Sequence, residues 1–488
     1  MKSIRNHRFW LIVILGIISI WGALGERTPF QNGLGWDGKN YATLTSNFEE
    51  MAMHKKIDSY QYQRIFTPVV IFYASEVLHI KLSVETIPYV FRVFNILLLA
   101  FTVWLFFNLC THFSFRPQTE IIGFAALFFN YFVLKNTPYY PILTDVAGFW
   151  MGMMICYFFL KRKNTALFLS MLLGHFTFPL LLVTSIPLSW NIRNNSILNA
   201  LQKTTGLKVW AITIIVCILS FTALVLWYPS ILNPKYMMVL QVYGLPISIA
   251  WVIFYIWKSI LSFNTGNTIE GIVDWKKILF TTLGLLAFLI SANAMIARIS
   301  IPEEGFTPQV FLFNIIQQSI SEPFISLIAH TIYVGPAILL ILLYFKDFTR
   351  TIKQQGDSAV GYFIIIALLC LGSESRQFVP YYPFMVLMLM LTLNAFTFSI
   401  KQVLLFCLLA LVSSKCWFPI NVPDIFSKYD FGNFPDQRYF MNQGPFMSEQ
   451  SYLINFLIVS IMGCCIYLLF RNPVTSHTNL TDSTSPSL

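Results

Sequence analysis

Charge is what this chain has least of. Only 11% of its 488 residues are Asp, Glu, Lys or Arg, against about 25% in soluble domains. With 56% apolar residues, 17% aromatics and a mean hydropathy of +0.65, that scarcity excludes an ordinary soluble globular protein. The 8 cysteines show no CxxC and no Cys/His cluster at metal-ligand spacing, which excludes a disulfide framework or a zinc module. All but Cys416 fall inside or at the ends of apolar runs, where a thiol behaves as a small hydrophobe. No internal repeat is evident either, which weighs against many secondary transporters.

What is present is a succession of apolar runs on the scale of the ~20 residues a helix needs to cross ~30 Å of hydrocarbon. They read as 9–24, 89–110, 120–134, 145–160, 164–176, 178–190, 209–228, 238–257, 278–297, 325–345, 359–373, 382–399, 402–418 and 452–470. The fold class is therefore all-α: a polytopic membrane protein of about 12–14 spans, one domain over 1–470 with a disordered tail at 471–488. The first run ends in Trp21-Gly22-Ala23-Leu24, a poor cleavage site, and reads as a retained anchor. Lys2, Arg5 and Arg8 before it set the N-terminus inside. Lys161-Arg162-Lys163, Lys276-Lys277, Lys346 with Arg350, and Arg471 then also land inside. The net charge of +10 is thus a topology signal and implies no nucleic acid partner. Residues 65–80 are apolar enough to span, but a span there would invert every later loop. They read instead as an interfacial helix on the outer surface.

The polar residues concentrate in the outer segments 25–88, 135–144, 298–324, 373–381 and 419–451, the last aromatic-rich enough to suggest an ordered cap. In the first, Asp37 can N-cap a helix whose apolar positions Tyr41, Leu44, Phe48 and Met51 would lie on the membrane. Asp145 stands at the mouth of a span, a costly place for an acid unless it is partnered or functional, with a helix cap as the plainer reading. Arg64 and Arg376 fit either headgroup anchoring or anion binding. His175 falls at the break between two short runs, and His330, deep in its run, reads as structural. Glu303-Glu304 reads as a solvated pair.

Taken in order, Asp37-Gly-x-x-Tyr41, Arg64-Ile-Phe-Thr-Pro68, Phe91-Arg92-Val93-Phe94-Asn95, Pro141-Ile-Leu-Thr-Asp145, Leu173-Gly-His175-Phe and Glu374-Ser-Arg376-Gln-Phe-Val-Pro380 resemble the GT-C class of integral-membrane glycosyltransferases. The resemblance covers 9–190 in order and recurs near 374–383. It implies sugar transfer, with inversion, from a polyprenyl- or dolichyl-phosphate donor to a glycan, lipid or protein acceptor, in a bilayer whose lipids surround the enzyme. The active site would face the periplasm of a bacterial inner membrane, with both termini cytoplasmic. It implies Asp37 as catalytic base and Tyr41, Arg64, Asp145, His175, Glu374 and Arg376 as substrate contacts, with Arg376 first among them for the lipid phosphate.

One departure bears on cofactors. Some members hold a divalent metal through Asp-x-Asp, whereas Gly38-Lys39 follows Asp37 here. A reaction with neither cofactor nor metal is the expectation, although Asp145 could join Asp37 across space to hold a metal. Two other readings stay open: a polysaccharide polymerase or ligase depending on arginines of its late loops, and a multi-span transporter.

Overall fold

The computed structural model describes residues 2–35, 37–190, 239–261, 263, 275–301, 308–420, 447, 449–472 and 474–475. Among these the fold is all-α, with a single short antiparallel pairing of Phe396–Thr397 with Val474–Thr475. Among the described residues four stretches are long and apolar enough to cross a membrane: Asn6–Leu24, Ile87–His112, Ile278–Ile299 and Ser451–Phe470. Six further apolar helices are shorter, among them Phe66–Val77, Asp145–Leu160 and Ile325–Val334. This is a helical membrane protein.

The first part of the chain runs α1 (Lys2–Leu24), α2 (Gly38–Ser46), α3 (Phe48–Met53), α4 (Ser59–Tyr62), α5 (Phe66–Val77), α6 (Ile87–His112), α7 (Pro117–Phe128), α8 (Thr137–Tyr139), α9 (Asp145–Leu160), α10 (Asn164–His175) and α11 (Leu180–Ser189). Pro88 and Pro117 open α6 and α7, where a missing N–H costs nothing. Helix α9 packs between α6 and α10, and α7 lies against Tyr382–Leu393 and Ile400–Ser413. The shared core is aromatic: Phe124, Phe128, Phe132 and Phe149 are all buried, and Phe128 meets Phe149 edge to face.

Several sequence expectations need correction. The run 120–134 ends as helix at Phe128, and a π turn at Phe132–Asn136 follows before Pro138. The run 325–345 breaks at Gly335-Pro336 into Ile325–Val334 and Ala337–Leu343, because Pro336 cannot donate to the helix ladder. The segment 298–324, expected as an outer loop, contains a helix, Pro308–Ile320, in which apolar residues are interspersed with glutamines. In the tail expected to be disordered, Val474–Thr475 pairs with Phe396–Thr397. Helix α2 ends at Asn47, so the expected amphipathic stripe divides between two helices. Tyr41 and Leu44 are buried in protein and do not lie on a membrane. The run 209–228, Glu303-Glu304 and most of the expected cap at 419–451 lie outside the described residues.

Candidate active site

Three segments meet at one arginine. Arg376 donates from Nε to Asp145 Oδ2 at 3.0 Å and from Nη1 to Asp37 Oδ2 at 3.2 Å. Positions 37, 145 and 376 are far apart in sequence, and each is set in place by close packing of its own segment.

The Asp37 loop is fixed by Tyr140. Gly38 N–H donates to the Tyr140 hydroxyl at 2.9 Å. Gly35, at φ +71°, leaves room for that ring, which a Cβ at position 35 would overlap. Tyr140 is held in turn from below by α6. Arg92 donates to the Pro138 carbonyl from Nε and Nη2, at 3.1 and 2.8 Å, and Asn95 donates to the Pro141 carbonyl at 2.8 Å. The Phe-Arg-Val-Phe-Asn motif of α6 is therefore the support of the loop that carries the site.

Asp145 opens α9 without capping it: the cap position is Thr144, and no side chain accepts from the first turn. Asp37 does stand at the N-cap position of α2, but its side chain makes no cap bond, and both carboxylates turn to Arg376. Arg376 is delivered by Ser375–Phe378, and the Val379–Tyr381 turn that follows it docks on α9, where Gly148 and Gly152 face Pro380. A Cβ on Gly152 would overlap the Pro380 carbonyl oxygen. His330 anchors the neighbouring residue. Its Nε2 lies 3.0 Å from the Cys370 carbonyl, which can only accept, so Nε2 carries the proton. Nδ1 then accepts from the Ser375 hydroxyl at 3.0 Å.

The two acids differ in access. The Asp145 side chain is 4% exposed and that of Asp37 42% exposed, with Arg376 between them at 19%. Burial would lower the Arg376 pKa, but Asp145, Asp37 and Glu374 outweigh it and hold it well above the usual arginine value. Burial raises the Glu374 carboxyl, with Arg376 opposing and the two aspartates reinforcing. Burial also pushes the Tyr140 phenol up, and the nearby Asp37 charge adds to it. Of the five N–H donors of a guanidinium, two serve the aspartates; the others have no hydrogen-bond partner among the described residues.

The remaining predicted residues divide. Tyr41 is buried beneath the loop, close enough to Arg64, Tyr60 and Asp37 to feel their charges, and burial raises its pKa well above the usual value. Arg64 lies over the Tyr60 ring, 3.7 Å from its centroid, and among the described residues no carboxylate pairs with it. Glu374 sits beside Arg376, and its N–H donates to the Gln318 side chain at 3.3 Å. His175 stands apart from the arginine clamp. It is buried against Phe176 and Phe288, with Asn293 on its open side, and Asn293 accepts from Gln63 at 3.3 Å. Tyr140 and Tyr60 carry the site as much as the predicted residues do. The Tyr139-Tyr140-Pro141 run just ahead of Asp145 was the available signal for the first.

Among the described residues no group of three or more His, Cys, Asp or Glu side chains converges to hold a metal ion. The cation between Asp37 and Asp145 is Arg376 itself. Comparison of the chain with protein-family models, curated proteins and solved structures finds no match.

Proposed function

We propose that the protein is an inverting glycosyltransferase of GT-C type that moves a sugar from a lipid-phosphate donor to an acceptor hydroxyl, with Asp37 as the base. The observation that carries this reading is the asymmetry of the clamp: two aspartates on one arginine, one buried and one 42% exposed. Asp145 holds Arg376, and Arg376 holds Asp37 at the rim, where it can meet an incoming alcohol. Asp37 takes the hydroxyl proton as the acceptor oxygen forms its bond to the anomeric carbon. The bond from that carbon to the phosphate oxygen breaks on the opposite face, and the lipid phosphate leaves with the electron pair.

The leaving phosphate needs cationic donors. Arg376 is already balanced by two carboxylates, whereas Arg64 is not balanced by any among the described residues. The phosphate therefore falls to Arg64, with the uncommitted N–H groups of Arg376 beside it. This reverses the expected order of the two arginines. Tyr60 links the two arginines, its ring beneath Arg64 and its phenol close enough to Arg376 to feel its charge.

On this reading the protein is a multi-pass enzyme of a bacterial inner membrane, with the clamp facing the periplasm. The test is glycolipid and glycan profiling by mass spectrometry of a strain lacking the protein. One sugar should disappear from an envelope product, and its lipid-phosphate donor should accumulate. Wild-type protein should restore the sugar and the Asp37→Asn variant should not. Unchanged glycans in the deletion strain would remove the assignment.

A further inference from the structure

At the end of α1 and α6 away from Asp37, a cleft runs between the two helices. It has a volume of about 690 Å³ and is walled by Leu15 and Gly16 of α1 and Ile96, Leu99 and Val103 of α6. It extends along α1 from Arg8 to Ile20, about 18 Å at the rise of an α-helix. That is about three-fifths of the ~30 Å hydrocarbon thickness of a bilayer, a little more than one leaflet. The apolar walls thus have the length of one acyl chain lying in one leaflet.

The mouth of the cleft is polar and basic. Arg8, Thr111, His112 and Lys161 line it. Arg8 is committed: it pairs with Glu120, which is 1% exposed, and donates to Thr111 Oγ1 at 3.1 Å. His7 adds to the same acid at 3.6 Å. Glu120 is the only acid among these contacts, and Arg8 offsets it. Lys161 has no carboxylate within ion-pair distance among the described residues, and Arg162 and Lys163 follow it, exposed. The mouth therefore keeps an uncompensated positive charge directly above an apolar channel.

We infer that this cleft binds an anionic phospholipid of the inner leaflet, its acyl chain between α1 and α6 and its phosphate at Lys161, with the His112 and Thr111 side chains beside it. The charge selects the headgroup and the channel selects a chain, so a free phosphate ion satisfies only half of the site. Occupancy fastens α1, the least buried of the helices flanking the cleft, to the helix that supports the Asp37 loop.

Two substitutions separate the halves. Lys161→Ala removes the charge. Gly16→Phe fills the channel, and a Cβ at that position meets nothing within 4 Å, so the helix accepts it. Purified full-length protein in detergent is titrated with phosphatidylglycerol, phosphatidylcholine or inorganic phosphate, and the thermal unfolding midpoint and lipid retention by native mass spectrometry are followed. Phosphatidylglycerol should raise the midpoint of the wild type and be retained, while phosphatidylcholine and inorganic phosphate should do neither. Lys161→Ala should weaken retention about five-fold, the share one basic residue contributes beside an anionic headgroup, and Gly16→Phe should abolish it. Equal effects of the two lipids, a midpoint rise with inorganic phosphate alone, or undiminished preference in both variants would each overturn the assignment.

Discussion

The two ends of the molecule solve the same electrostatic problem and leave different remainders. At one end Arg376 neutralises the buried Asp145; at the other Arg8 neutralises the buried Glu120. A buried acid without its cation is costly, so each pair is needed for the fold to stand. What differs is the third charged group. Beside Arg376 it is Asp37, an exposed carboxylate able to accept a proton. Beside Arg8 it is Lys161, a cation able only to attract an anion. The buried pair secures the structure, and the group left over gives each end its chemistry.

That contrast can be broken experimentally, starting where the effect is largest. Arg376→Ala leaves Asp37 and Asp145 facing each other without a cation. It should cost on the order of 3–5 kcal/mol of stability and remove all sugar transfer, as read by the thermal unfolding midpoint in detergent and by an in vitro transfer assay. Asp145→Ala should come next, with a loss of about 3 kcal/mol, while Asp37→Ala, exposed at its rim, should change stability by no more than about 1 kcal/mol. Equal losses in the two alanine variants would dissolve the distinction between the holding acid and the working one. Gly152→Ala forces α9 away from Pro380 and should cost about 1–3 kcal/mol, with part of the transfer rate lost as Arg376 shifts.

The smallest effect concerns Glu374, whose carboxyl burial raises above the usual value. A group whose pKa is higher in the folded state adds stability at low pH and loses it as pH rises through the folded value. Wild-type stability should therefore fall across a window beginning above the ordinary glutamate range, near pH ~4.3. Glu374→Gln should flatten that fall, as measured by unfolding midpoints across pH. A wild-type curve as flat as that of the variant would contradict the burial of this carboxyl.

Much of the fold was legible because hydropathy is a strong signal: α6, α9 and the helix Glu449–Phe470 lie where their apolar runs predict. Helix ends were less legible: a run of apolar residues hides both the π turn after α7 and the break that Gly335-Pro336 imposes inside 325–345. The site was legible as a set of residue types, since Asp37, Asp145 and Arg376 each stand out against an apolar chain. Their meeting was not, because it depends on Tyr140 filling the space Gly35 leaves open and on Gly152 admitting Pro380. Such shape complementarity has no periodicity. His175 is the contrasting case. Its position at a helix break suggested a site, and the contacts of its ring are Phe176, Phe288 and Asn293, with none to Arg376, Asp37 or Asp145 among the described residues.

The most direct measurement is sugar transfer by purified Asp37→Asn in vesicles carrying the lipid-phosphate donor, assayed by mass spectrometry beside the wild type. The account predicts an unfolding midpoint like that of the wild type and a rate lower by about 10²–10⁴-fold, the usual worth of a positioned base. A well-folded Asp37→Asn protein that transfers sugar at the wild-type rate would contradict it.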